Sequence, residues 1–262
     1  MWGGGRAGAI FPAVASPGAP RVRRVIVAGG GTALGLALAR AALARGDRVA
    51  VQLPHPERVP VLADLAGEHG DRLAVVPADA DPVAAAGALP GALPAWAGAI
   101  DLLLHAGWAD AADPSLAAQR ANRTLDEVDG DALVALVRRN ALPPLLAVRA
   151  LRRHLAQGDG PRALVVTSWL ASIARRHDGG HYGAAAAGAA LNAVVRALAF
   201  DLEPDGIAVA AASPGAYRTA LHGPGFQPSA EDVAAGLLAV ADRLTLERTG
   251  AFLDWKGESC PW

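Results

Sequence analysis

Seven short runs of aliphatic and β-branched residues recur along the chain, each separated from the next by a longer stretch rich in alanine and leucine. They are "VIVA" (Val25–Ala28), "VAVQ" (Val49–Gln52), "LAVVPA" (Leu73–Ala78), "DLLLHA" (Asp101–Ala106), "ALVVTS" (Ala163–Ser168), "IAVAAA" (Ile207–Ala212) and "AFLD" (Ala251–Asp254). Most are apolar without interruption, the pattern of strands covered on both faces. Strands alternating with helices leave few right-handed solutions besides a doubly wound α/β fold on a parallel sheet. The 262 residues suit one such domain, and the stretches "LPGALP" and "HGPGFQP" are short enough to be its loops. The expectation is a single domain over residues 23–262 with about seven parallel strands.

Charge narrows the range of partners. A formal net charge of −1 gives no global field to draw in nucleic acid or an anionic membrane surface, so neither is expected as a partner. Cys260 is the single cysteine and has no neighbours at metal-ligand spacing, so neither a disulfide nor a metal site is expected. The opening "MWGGGRAGAIFPAVASPGAP" has one arginine and an apolar part broken by Pro12. Residues 1–22 read as a disordered or mis-assigned leader rather than an export signal. The most apolar long run, "AAAAGAALNAVVRALAF", contains Asn192 and Arg196 and reads as a buried helix rather than a bilayer span. A cytoplasmic protein is expected.

Ligands of doubly wound folds sit beyond the carboxyl ends of the strands. The first such end is "VIVAGGGTALGLALAR", a strand, a tight turn and a helix start. Gly29, Gly30 and Gly31 permit a close backbone approach, and Gly35 lets the helix pack near a phosphate or the sheet. "QLPHPER" after the second strand carries no acid near Leu53 or Pro54 to bind a ribose, leaving His55 or Arg58 as candidates for a ribose phosphate.

On these motifs the sequence resembles the short-chain dehydrogenase/reductase family from Arg24 to Trp262, which implies a Rossmann-like fold, an NAD(P) cofactor and a small-molecule carbonyl or hydroxyl substrate. Residues 28–35 resemble the family's Thr-Gly-x-x-x-Gly-x-Gly turn, which places Gly29, Gly31 and Gly35 at the cofactor. "ADADP" puts Asp79 where the family has an adenine-contacting aspartate. "LLLHAG" resembles its Asn-Asn-Ala-Gly strand end, with His105 for an asparagine and Gly107 for the glycine. Asn140 falls at the position of the family's helix asparagine, and Ser168 and Tyr182 at those of its serine and tyrosine. Pro214, Gly215 and Thr219 match its Pro-Gly-x-x-x-Thr element. "GAFLDWKGESCPW" resembles the tail of C-factor-like carbonyl reductases. Such proteins commonly associate through the helices carrying Asn140 and Tyr182, so a homodimer or homotetramer is expected.

One position departs from the pattern. The family's tyrosine is followed four residues later by a lysine on the same helix face, and here that residue is Ala186. The family's ammonium holds the cofactor ribose and makes the phenol easier to ionise, and a methyl group does neither. Lys256 is the only lysine in the chain, yet the replacement is alanine rather than arginine. An unassisted phenol titrates near about 10, so a proton relay needs help. His177, His181, Arg175 and Arg176 precede the tyrosine and His105 ends the central strand. A histidine titrating near neutrality can supply the missing acid–base function, although His105 reads equally as a satisfied core histidine, and Arg175 and Arg176 read as a solvated basic loop. Trp108 and Trp169 follow two strand ends and suit either a ring-bearing substrate or plain burial.

Three functions follow. The first, favoured by the lost lysine, is non-redox carbonyl chemistry such as cyclisation, isomerisation or dehydration, with Ser168 and Tyr182 holding oxygen and His105 or His181 moving the proton. The second is an NAD(P)H-dependent carbonyl reductase that tolerates the loss. The third is a catalytically silent binding or partner subunit.

Overall fold

A computed structural model describes residues 22–108, 122–218 and 228–262. All but the last residue of the expected leader, and Thr219, lie outside these. The strands form one parallel sheet: β1 (Arg24–Ala28), β2 (Arg48–Leu53), β3 (Leu73–Pro77), β4 (Leu102–His105), β5 (Arg162–Val166), β6 (Ala208–Ser213) and β7 (Ala251–Asp254), in the order β3-β2-β1-β4-β5-β6-β7. The α-helices among the described residues are α1 (Ala33–Ala44), α2 (Val61–His69), α3 (Pro82–Ala88), α4 (Gly130–Ala156), α5 (Tyr182–Leu202) and α6 (Ala230–Arg243).

The uninterrupted apolar runs are explained by two cores. Val25, Val27, Leu102, Leu104 and Leu164 point into one face and pack with Leu38 of α1 and Leu237 of α6. Ile26, Ala28, Leu103, Val165 and Val209 point into the other and pack with Leu151 of α4 and Leu191 of α5. Alternate residues of each strand therefore bury on opposite sides, and polar side chains buried in the strands are few, Gln52, His105 and Ser213 among them.

Strand order reverses between β1 and β4, with Ala28 in register with His105. The loops leaving these neighbours open onto one crevice, where a doubly wound sheet binds ligand. The long helix α4 begins at Asp129, whose side chain accepts from the Ala132 N–H at 2.9 Å. Pro143 and Pro144 are both buried within this helix, which continues to Ala156. Neither proline has an N–H to donate to the carbonyl four residues before it. By length and composition, Tyr182–Asp205 could cross a membrane. Here α5 lies on the sheet, with Leu191 and Val195 fully buried and Asn192 3% exposed.

Candidate active site

At the turn after β1, backbone lies on backbone. Gly29 has φ +74°, and a Cβ there would meet the Gly107 backbone at 2.4 Å. Behind it, a Cβ on Gly35 would lie 2.5 Å from the Gly29 carbonyl oxygen, and one on Gly30 would lie 2.2 Å from Val51. Gly31 is exposed and its Cβ would make only ordinary contact with Leu53, so its glycine is not required by packing within the chain. Thr32 joins these pieces. Its Oγ1 lies 3.2 Å from both the Gly29 and Ala106 carbonyl oxygens, to which it donates, and it accepts from the Gly35 N–H at 2.9 Å as the N-cap of α1.

His105 lies beneath this contact. It is 6% exposed, and a Cβ on Gly107 would sit 3.0 Å from its ring. Burial pushes its imidazole down to about 4. Burial thus favours the uncharged imidazole under the turn at neutral pH. Sequence gives the residue type at a strand end but not the burial that fixes its charge.

Asp79 is exposed and accepts from the Asp81 N–H at 2.7 Å. Asp81 caps α3 through the Val83 N–H at 3.1 Å and pairs with Arg138 of α4 at 2.7 Å, which holds its carboxyl below the usual range. A cavity of about 320 Å³ lined by Ala80, Asp81, Pro82, Leu136 and Arg138 lies between them, at the β3 end of the crevice rather than at Tyr182. After β6, Pro214 is buried and Gly215 has φ +63° beside the Trp255 ring.

On the other side of the crevice, Ser168 follows β5 and accepts from the Leu170 N–H at 3.2 Å, leaving its hydroxyl proton to donate. Tyr182 opens α5 half-buried, and its N–H donates to the Asn122 carbonyl at 2.9 Å. His181 before it is exposed and left-handed, φ +52°, with no side-chain cap bond. Ala186, one turn on, is half-buried. Asn140 is 3% exposed and its amide nitrogen donates to the Leu136 carbonyl at 2.9 Å. Of the tryptophans, Trp108 packs against both cores and Trp169 is 48% exposed. Among the described residues no group of three His, Cys, Asp or Glu side chains gathers at metal-binding distance.

Residues 23–228 match the short chain dehydrogenase family. The chain belongs to that family. It is 39% identical to the C-signal of Myxococcus xanthus over 123 residues, which are 47% of this chain and 74% of that protein. It is 33% identical to the 1-hydroxy-2-glutathionyl-2-methyl-3-butene dehydrogenase of Rhodococcus sp. (strain AD45) over 145 residues, 53% of this chain and 63% of that one. Among solved structures, the NADPH-bound carbonyl reductase from chicken fatty liver superposes with a TM-score of 0.76 at 25% identity, covering 92% of this chain and all of that one.

In this short-chain dehydrogenase the glycine turn, Gly107 and Ser168 follow β1, β4 and β5, which are neighbours in the sheet, and Tyr182 opens α5. Two contributors were not singled out from sequence. Thr32 was signalled by a hydroxyl residue at a helix start. Asn122, 1% exposed, holds the Tyr182 N–H from a segment with no periodic pattern to expose it.

Proposed function

We propose that this short-chain dehydrogenase is an NAD(P)H-dependent carbonyl reductase acting on a small-molecule ketone or aldehyde. The observation that carries the reading is the Gly29–Gly107 contact, whose clearance of 2.4 Å for a Cβ admits no side chain. This keeps the start of α1 open as a bed of backbone N–H groups, a natural seat for a pyrophosphate. The carbonyl reductase from chicken liver, described as NADPH-bound, supports the same reading.

Gly29, Gly31 and Gly35 would hold the pyrophosphate, Asp79 the adenine end, and Gly107, Pro214, Gly215 and Thr219 the nicotinamide end. A bound NAD(P)H supplies a hydride. The Ser168 hydroxyl and the Tyr182 phenol donate to the substrate oxygen, and the phenol proton passes to that oxygen as the alcohol forms. Asn140 would take the place of the family's helix asparagine, buried in α4 with its amide nitrogen bonded to the Leu136 carbonyl one turn earlier on the same helix. The reading includes a cytoplasmic homodimer or homotetramer, supported by the near-neutral charge and by exposed Leu142 and Phe200 on α4 and α5.

Equilibrium binding of NADPH and NADH, followed by carbonyl-dependent oxidation of the bound form, tests this. Absence of dinucleotide binding sinks it. Ala186 favours a second reading, the non-redox carbonyl chemistry of cyclisation, isomerisation or dehydration, because the family's reductases carry an ammonium at that position. Turnover without nucleotide that disappears in Tyr182→Phe would establish that reading instead.

A further inference from the structure

The segment between Ser168 and Tyr182 contains an arginine that is not arranged like a surface residue. The Arg176 N–H donates to the Ile173 carbonyl at 3.2 Å, and its side chain folds forward along its own loop. Nη2 donates to the Asp178 carbonyl at 3.1 Å and the Gly180 carbonyl at 2.6 Å. These carbonyls flank Gly179, where an added methyl would lie 3.9 Å from the Tyr182 hydroxyl. Nη1 is shielded from solvent and has no hydrogen-bond partner among the described residues. A solvated arginine would leave neither a buried donor unsatisfied nor a guanidinium committed to two carbonyls. The adjacent Arg175 is exposed, as expected for this loop, so the two arginines differ.

The guanidinium holds a tightly constrained turn. Gly180 has φ +83°, and a Cβ there would lie 2.5 Å from the Arg123 carbonyl oxygen. His181 follows in the left-handed region, and the N–H groups of His181 and Tyr182 donate to the Arg123 and Asn122 carbonyls, each at 2.9 Å. Left-handed backbone at a non-glycine residue persists only when its surroundings fix it.

We propose that Arg176 is the positioning residue of Tyr182, holding the 178–181 turn against the phenol and supplying from the loop the fixed positive charge that α5 lacks at Ala186. An arginine keeps its charge at every working pH, and this guanidinium is bonded to the carbonyls on either side of Gly179, the residue that lies against the phenol. The inference rests on the reductase reading for the use of that charge, but not for the turn.

Arg176→Ala, Arg176→Gln and Arg176→Lys test it. Glutamine keeps an N–H donor for the carbonyls without the charge, and lysine keeps the charge. In Arg176→Ala, amide hydrogen exchange at His181 and Tyr182 is expected to quicken by about tenfold or more while β4 and β5 exchange as before. Reductase kcat falls about tenfold or more, with the KM for NADPH nearly unchanged, and added guanidinium ion restores part of it. Arg176→Lys retains more kcat than Arg176→Gln. Unchanged exchange in Arg176→Ala, or a kcat in Arg176→Gln equal to that of the unsubstituted protein, overturns the proposal. If alanine prevents folding, exchange and kcat in the lysine and glutamine variants decide. A protein with no reductase turnover at all refutes the reductase reading, while exchange still decides whether Arg176 holds the turn.

Discussion

The turn after β1 and the entrance to α5 face one crevice but are held in opposite ways. At the turn, glycines touch backbone directly and Thr32 bonds carbonyls from two strand ends, so the shape follows from what residues lack. At the entrance, His181 has no cap of its own, and the chain is held by carbonyls of residues 122 and 123 and by the Arg176 side chain. At Gly29, Gly30 and Gly35 the first region admits no side chain, because a Cβ has nowhere to go. The second is assembled from separate groups, each replaceable if another takes its task. An alanine at position 186 is therefore compatible with an intact site in a way that a side chain at Gly29 is not.

Gly29→Val attacks the stiffer region and has the largest expected effect. Positive φ and contact with Gly107 together should cost about 3–5 kcal/mol, read as a lower denaturant midpoint with loss of NADPH binding. Tyr182→Phe attacks the other region: kcat should fall about 100- to 1,000-fold while the midpoint and NADPH affinity stay put. If affinity falls in step with kcat, the two regions are not separable.

A third test uses pH. The imidazole of His105 titrates in the folded protein at about 4, below its ordinary 6.5, so between these values the unfolded chain binds more protons. Its contribution to stability is complete above pH 6.5 and is lost as pH falls toward 4, amounting to at most about 3 kcal/mol. His105→Asn should flatten that part of the stability profile, measured as unfolding midpoints at neutral and acid pH. The smallest effect belongs to Ala186→Lys, which should tighten dinucleotide binding and raise reductase kcat about tenfold. No gain would show that the loop already meets the need.

The sheet was legible almost to the residue, because strands buried on both faces leave apolar runs that nothing else in the chain imitates. Asp101 was read as the start of a strand, and β4 begins one residue later, although the Asp101 backbone bonds Arg24 and Arg162 on either side and its carboxylate bonds the Arg24 guanidinium and the Asp159 N–H. The glycines of the turn were legible for a related reason, a missing side chain being visible in sequence. His105 and Arg176 were not: the first is neutral because of what covers it, the second ordered by carbonyls on its own loop, and neither leaves a periodic trace.

The carbonyls of Pro261 and Trp262 bond the Ser172 hydroxyl at 2.6 Å and the Ala174 N–H at 2.8 Å, stitching residues far down the chain onto the segment after Ser168. During synthesis the ribosome delivers those two carbonyls only after all seven strands. The nascent chain can therefore shape its nucleotide turn early, but the edge bearing Ser168 gains its last braces only when translation has passed Trp262.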